Sequence, residues 1–107
     1  MKNRQKYIQI FTTTTKKNDA YKIAKTLVNK KLSACVQITG PIESVYRWHG
    51  KIEKSREFLC IIKTKMSNYK KVEKEIKIIH PYELPEIIAL PIIEGSQEYL
   101  EWINKEL

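Results

Sequence analysis

The chain has 107 residues, of which 42% are hydrophobic and 30% charged, and its net charge at pH 7 is +8. This length predicts a single domain over residues 1–107, and the composition is that of a globular rather than a disordered protein. No apolar run approaches the roughly 18 residues that cross a bilayer, and Tyr7–Phe11 is too short for the core of a signal peptide. We therefore expect a cytoplasmic protein with no membrane partner.

The positive charge is carried mostly by lysine, with arginine only at Arg4, Arg47 and Arg56. The lysines are spread over the whole chain, whereas a nucleic-acid interface concentrates cations, and arginine in particular, along one surface. This distribution favours a solvated lysine surface, and we expect no nucleic-acid partner.

Catalytic and structural-metal motifs are absent from the sequence. Cys35 and Cys60 lie in apolar, strand-like stretches, which is typical of buried free thiols, and with His49 and His80 they do not have the spacing of a zinc site. No nucleophile is accompanied by a base and an orienting group, and no glycine-rich phosphate loop is present. The sequence therefore predicts no enzyme.

The first half of the chain predicts a strand, a helix and a long hairpin. Tyr7–Phe11 alternates as a strand does, and Asn18 or a neighbouring threonine is the expected cap of the helix that follows. That helix has one apolar stripe, which consists of Ala20, Ile23, Ala24, Leu27 and Val28. A strand over residues 33–48, broken at Gly40-Pro41, and a second strand over residues 52–64 form the hairpin.

The length of this hairpin indicates that one copy of the chain cannot cover its own hairpin. A straight strand over residues 33–48 would be ~50 Å long at about 3.3 Å per residue, whereas a compact chain of this size is roughly 35 Å across. The hairpin must therefore bend at Gly40-Pro41, where proline favours a sheet edge or a bulge, or project from its domain. Tyr46 and Trp48 near its tip are too apolar to stay bare, so we expect closed pairing with identical copies.

The second half predicts a helix, a strand and a short terminal helix. Ser67 or Asn68 opens the first helix and His80-Pro81 ends it, while Pro91 places the strand over residues 86–93 at a sheet edge. The terminal helix directs Tyr99, Trp102 and Ile103 to one side. The complete order predicts an α+β fold, a ferredoxin-like βαββαβ sandwich with an antiparallel sheet, strands two and four at its edges, a long β2-β3 hairpin and a short C-terminal helix.

Five segments carry a family resemblance: residues 31–36, 44–50, 57–64, 80–86 and 99–103. In this order and spacing they resemble the successive motifs of the CutA family of divalent-cation tolerance proteins. The resemblance implies a homotrimer of ferredoxin-like subunits, similar to the trimeric PII-type nitrogen regulators, in which the long hairpins complete one another's sheets. It also implies a link to copper tolerance and copper binding.

The same resemblance implies a reduced copper site. Some bacterial members carry a cysteine at the place of Phe11 and a histidine at the place of Ile79, both proposed as copper ligands, and here only His80 remains of that set. We therefore predict weak binding of copper or another divalent cation at His80, with His49 as a secondary contact. No organic cofactor is expected.

The predicted ligand site is a cleft between subunits. Its expected residues combine aromatic walls with a few polar groups: Tyr46, Trp48, Lys63, His80, Tyr82, Glu86 and Trp102. Within it, Glu86 should lie within about 6 Å of His80, close enough for each to influence the other's protonation.

Simpler interpretations of these residues remain open. In these the aromatic residues only pack an interface, the charged groups Glu57, Lys63 and Glu86 form ion pairs, and His80 only hydrogen-bonds at a helix end. Three functions follow: a metal-tolerance protein, a PII-like sensor of a small polar ligand, or a structural trimer that anchors a partner protein.

Overall fold

A computed structural model describes residues 6–107, which form four β-strands and three α-helices. In chain order these are β1 (Tyr7–Thr14), α1 (Lys17–Asn29), β2 (Cys35–Trp48), β3 (Lys51–Lys65), α2 (Tyr69–Ile79), β4 (Ile88–Pro91) and α3 (Gln97–Lys105). The strand order across the antiparallel sheet is β2-β3-β1-β4. This order confirms the ferredoxin-like prediction, including the placement of the two proline-containing strands at the sheet edges.

The hydrophobic core lies between one face of the sheet and helices α1 and α2. Alternate residues of β1 and β3, such as Ile10 and Ile62, meet apolar residues of the two helices, such as Leu27 and Ile76. Each fully buried side chain of this size contributes about 1.5–3 kcal/mol through the hydrophobic effect. α3 packs at the end of β3 on the opposite face, where Lys65 Nζ donates to Asn104 Oδ1 at 2.7 Å.

A β-bulge in β2 sets the direction of every side chain beyond it. Before the bulge Thr39 pairs with Leu59, and after it Ile42 pairs with Glu57, so β2 contains one extra residue. Directly paired residues of antiparallel strands share a face. Because of the extra residue, the even-numbered residues Ser44 to Trp48 share the face of Glu57, which is the face away from α1 and α2.

The hairpin projects from the rest of the chain. The radius of gyration is 14.5 Å and the principal extents are 43 × 28 × 22 Å, whereas a compact chain of this length has a radius near 13 Å. His49 and Gly50 form the turn, with φ angles of 52° and 80°, as in the two-residue hairpin turns that favour glycine. Near the tip, Val45 and Ile52 are 68% and 70% exposed.

Two local predictions were wrong. α1 begins after Lys16, which makes no side-chain capping bond, whereas Asn18 lies within the first turn. β4 covers only Ile88–Pro91, because pairing with β1 ends at Pro91 and residue 86 belongs to the preceding loop.

The net charge is segregated between the layers of the fold. Residues 16–31 and 69–79, which contain α1 and α2, carry ten lysines against Asp19, Glu73 and Glu75. This layer therefore accounts for +7 of the net charge of +8. Elsewhere acidic and basic groups are nearly balanced, so the sheet and the hairpin are electrostatically distinct from the helices.

Candidate functional site

A cleft of about 940 Å³ opens between the outer half of the hairpin and the segment that follows α2. Residues 44–48 of β2, together with Ser55 and Glu57 of β3, form one wall. Residues 82–88 form the other wall, and Thr13 and Thr15 close the end near β1. The bulge in β2 directs Ser44, Tyr46 and Trp48 toward this side of the sheet.

A buried carboxylate lies at the inner end of the cleft. Glu57 is 7% exposed, and its two oxygens each accept one short hydrogen bond, from Ser44 Oγ at 2.6 Å and from Tyr82 Oη at 2.6 Å. Both oxygens are therefore hydrogen-bond acceptors in this arrangement. Because the Tyr82 proton is given to Glu57, Thr15 Oγ1 donates to Tyr82 Oη at 2.8 Å.

This network changes the acidity of Tyr82. Burial, followed by the hydrogen bond to Glu57, raises the pKa of Tyr82 from 10.0 to about 12. Loss of the phenol proton would place a second negative charge beside the Glu57 carboxylate. Tyr82 therefore acts as a hydrogen-bond donor and not as a base at neutral pH.

His80 lies behind the cleft and connects the end of α2 to β1. The backbone N–H of Tyr82 donates to His80 Nδ1 at 3.1 Å, so Nδ1 carries no proton. Nε2 must then carry the proton of the neutral ring, and it donates to the Thr13 carbonyl at 2.8 Å. Burial lowers the pKa of His80, although the Thr13 carbonyl, Asp19 and Glu57 act in the opposite direction.

The geometry of His80 bears on the predicted metal ligand. Both ring nitrogens are hydrogen-bonded, so Nδ1 could bind a metal ion only after release of the Tyr82 N–H. Among residues 6–107 no group of three or more His, Cys, Asp or Glu side chains is arranged to hold a metal ion. His49, in contrast, is exposed at the hairpin turn, where its ring contacts Trp48 edge-on.

The structure divides the predicted ligand-site residues into two groups. Tyr46, Trp48, Tyr82 and Glu86 line the cleft, and the ring of His80 packs edge-on against Tyr82 at 4.7 Å between centroids. The carboxylates that act on the His80 imidazole are those of Asp19 and Glu57. Glu86, which we expected within about 6 Å of His80, lies on the cleft wall, and its proximity to His80 stays a prediction.

Lys63 and Trp102 form the second group, at α3. Lys63 Nζ lies 5.5 Å from the centroid of the Tyr99 ring, and Tyr99 lies 5.5 Å from Trp102. Lys63 is six residues from Glu57 along β3, a separation of about 20 Å at 3.3 Å per residue. Within one chain these residues are therefore remote from the cleft.

Two polar residues of the site, Ser44 and Thr15, were not predicted. Glu57 was predicted either to form an ion pair or to face a cleft, but its partners in the described part of the chain are hydroxyl groups. The strand register is the signal that could have identified Ser44 as a partner of Glu57. The two residues share a face only when the extra residue of the bulge is counted.

Comparison with known proteins gives consistent matches over almost the whole chain. The family model described as CutA1 divalent ion tolerance protein matches residues 8–106. The divalent-cation tolerance protein CutA of Thermus thermophilus is 41% identical over 96 residues, which cover 90% of this chain and 93% of that protein. CutA1 from Shewanella sp. SIB1 superimposes with a TM-score of 0.92 at 42% identity, covering 96% of each chain.

A further neighbour bears on localisation. The structure from Archaeoglobus fulgidus, named the periplasmic divalent cation tolerance protein CutA, has a TM-score of 0.91 at 42% identity and covers 94% of this chain and 97% of that one. Over the described range 6–107, no helix is long and apolar enough to cross a membrane.

The sequence match along residues 8–106 and the close superposition agree on one assignment: this chain belongs to the CutA1 family of divalent ion tolerance proteins.

Proposed function

We propose that this chain acts in divalent-cation tolerance as a homotrimer and has no enzymatic activity of its own. The family supports the link to divalent cations, since its members are named for that tolerance. The projecting hairpin is the main structural observation that supports self-association. A cytoplasmic site of action stays a prediction from the sequence.

The uncovered surface of the sheet supports an assembly of identical chains. Both edge strands are open, and the face away from α1 and α2 carries the half-buried Leu59 and Ile61 and the exposed Ile88 and Leu90. Contiguous apolar surface of this kind typically marks an interaction site, and open edges favour pairing with another strand. A closed ring of subunits covers every edge in the same way, and the resemblance to the CutA family implies three.

Sedimentation equilibrium at micromolar concentration tests this assembly. Three chains of 12.7 kDa give an expected mass of about 38 kDa. Ile52→Lys adds a charge at a 70% exposed position on the hairpin and should lower this mass, whereas Ile78→Lys adds the same charge at a 67% exposed position on α2 and should not. A persistent monomer, or equal effects of the two variants, would refute the proposed assembly.

We further propose that copper binds only weakly. The two ring nitrogens of His80 are engaged in hydrogen bonds, and a single imidazole such as His49 is a low-affinity ligand without further donors. Copper binding requires a neutral imidazole, so the affinity should fall as the pH is lowered and the imidazole takes up a proton.

Competition against a chromophoric chelator measures this affinity, with His80→Gln and His49→Gln compared at one pH. Loss of binding in His80→Gln alone would show that His80 releases the Tyr82 N–H to take the metal. Tight binding that neither variant changes would contradict the proposal.

A second candidate function is the binding of a small polar ligand in the cleft. The observation that favours it is the cleft itself, which has a volume typical of ligand sites and combines aromatic walls with one buried charged group. Thermal-shift measurements separate this function from metal binding, because a ligand that binds the native state raises the melting temperature by mass action.

A further inference from the structure

We propose that the cleft binds a small organic cation, of the alkyl diammonium or guanidinium class. This inference rests on the second candidate function, ligand binding in the cleft, and names its ligand class. Four properties of the walls support it: their charge, the direction of their hydrogen bonds, their aromatic residues and the spacing of their acceptors.

The charge of the cleft is opposite to that of the chain as a whole. Its walls contain the acidic residues Glu57, Glu83 and Glu86 and the basic residue Arg47, which gives a local net charge of −2. The chain has a net charge of +8, most of it on the helical layer. A cation is therefore attracted to this cleft from solution, whereas an anion is attracted to the helices.

The hydrogen bonds of the inner wall engage the hydroxyl protons of Ser44 and Tyr82 but leave acceptor capacity on the Glu57 carboxylate. Ser44 and Tyr82 both direct their hydroxyl protons to Glu57, so neither hydroxyl is available to an anionic ligand. Each Glu57 oxygen accepts one bond in this way and retains a second lone pair for an ammonium or guanidinium N–H.

The aromatic walls also suit a cation. Tyr46 and Trp48 lie on the hairpin side of the cleft, and Tyr82 lies across from them. The face of an aromatic ring attracts an ammonium or guanidinium group within about 6 Å, and tryptophan does so most strongly. The cleft volume of about 940 Å³ lies within the usual range for small-molecule sites.

The spacing of the acceptors favours an extended cation over a point ion. A hard divalent metal ion needs several oxygens within about 2.0–2.6 Å of one point. Here the acceptors are distributed over both walls, and no cluster of three potential metal ligands is found between residues 6 and 107. A chain with separated N–H donors can reach acceptors on both walls at once.

Isothermal titration calorimetry with a matched pair of probes tests the inference. The probes are 1,4-diaminobutane and 1,4-butanediol, which have the same chain length and differ in carrying two ammonium or two hydroxyl groups. The diamine should bind at least tenfold more tightly than the diol, and its affinity should fall as salt is added.

Three charge-neutralising variants locate the binding. Glu57→Gln and Glu86→Gln should each weaken diamine binding by at least tenfold. Glu43→Gln is the matched control, because Glu43 lies on the same hairpin but pairs with Arg56 on the opposite face, and it should leave binding unchanged. If Glu57→Gln fails to fold, the exposed Glu86 still tests the site.

The outcomes separate this inference from the proposed functions. Binding of citrate or ATP in place of the diamine, abolished by Tyr46→Ala, would support ligand binding in the cleft and overturn the cation class. Equal effects of Glu57→Gln and Glu43→Gln would place the diamine elsewhere and also overturn it. Absence of binding by every probe would refute ligand binding and leave the trimer to be judged by its mass alone.

Discussion

Removal of the Tyr82 hydroxyl is the sharpest test of the network around Glu57. Tyr82→Phe takes away one of the two donors to a carboxylate that is only 7% exposed. A hydrogen bond to a charged group contributes about 1.5–3 kcal/mol, so we expect the free energy of unfolding to fall by about 2 kcal/mol. With an unfolding entropy of about 2.1 cal/mol/K per residue, this loss lowers the melting temperature by roughly 9 °C.

The assay is urea unfolding at pH 7 and one protein concentration, analysed by linear extrapolation. Tyr21→Phe is the matched control, because it removes the same hydroxyl from an exposed tyrosine of α1, and it should change the free energy by less than about 0.5 kcal/mol. A double-mutant cycle with Glu57→Gln should show coupling of at least about 1 kcal/mol. Equal stability of Tyr82→Phe and Tyr21→Phe would refute the assignment of Tyr82 as a donor to a buried charge.

Three further predictions concern protonation and the bulge. The NMR titration midpoint of His80 should lie below 6.5. The contribution of neutral His80 to the free energy of unfolding should be complete above pH 6.5 and decline as the pH falls, because the unfolded chain takes up the proton first. A midpoint above 6.5 would contradict the buried neutral ring. The contribution of the Tyr82 phenol to the free energy of unfolding should be complete below pH 10 and be lost between pH 10 and about 12. The Tyr82→Phe variant should lack this pH dependence. Gly40→Ala should lower the free energy of unfolding by about 2 kcal/mol or more. Gly40 has φ +150°, and a Cβ there would lie 2.9 Å from the carbonyl oxygen of Glu57. An unchanged urea midpoint would show that the bulge relaxes freely.

The fold was predictable because its signals are local. Pro41 and Pro91 mark the two edge strands, since proline cannot donate to a ladder, and periods of two and 3.6 residues separate strands from helices. Even the irregularity of β2 was indicated by Gly40-Pro41. The α1 cap was mispredicted, because a residue type favours a cap but tertiary packing decides where the helix begins.

The site was predictable only in part, because a site depends on which ends of distant elements meet. Tyr46, Trp48, Tyr82 and Glu86 were predicted together and line one cleft. Lys63 was added to them because charge in an apolar strand is unusual, but sequence alone does not show at which end of β3 a partner will lie.

The contact of Glu57 with Ser44 and Tyr82 depends on long-range register. Ser44 is separated from Glu57 by 13 residues and Tyr82 by 25, and the three meet only after the hairpin and the loop after α2 are both in place. The orientation of the His80 ring was equally inaccessible, since it is set by a carbonyl of β1 that lies 67 residues away.

The extra residue in β2 also indicates where hairpins of this kind can vary in length. Deletion of Pro41 would remove the bulge but leave Ile42 opposite Glu57, so Ser44, Tyr46 and Trp48 would keep the face of the cleft. An insertion of one residue between the bulge and Tyr46 that slips the register, without a second bulge, would turn Tyr46 and Trp48 away from the cleft. Single-residue length changes that preserve the cleft are therefore confined to the bulge or to the turn beyond Trp48, so natural relatives with longer or shorter hairpins should differ at these two places.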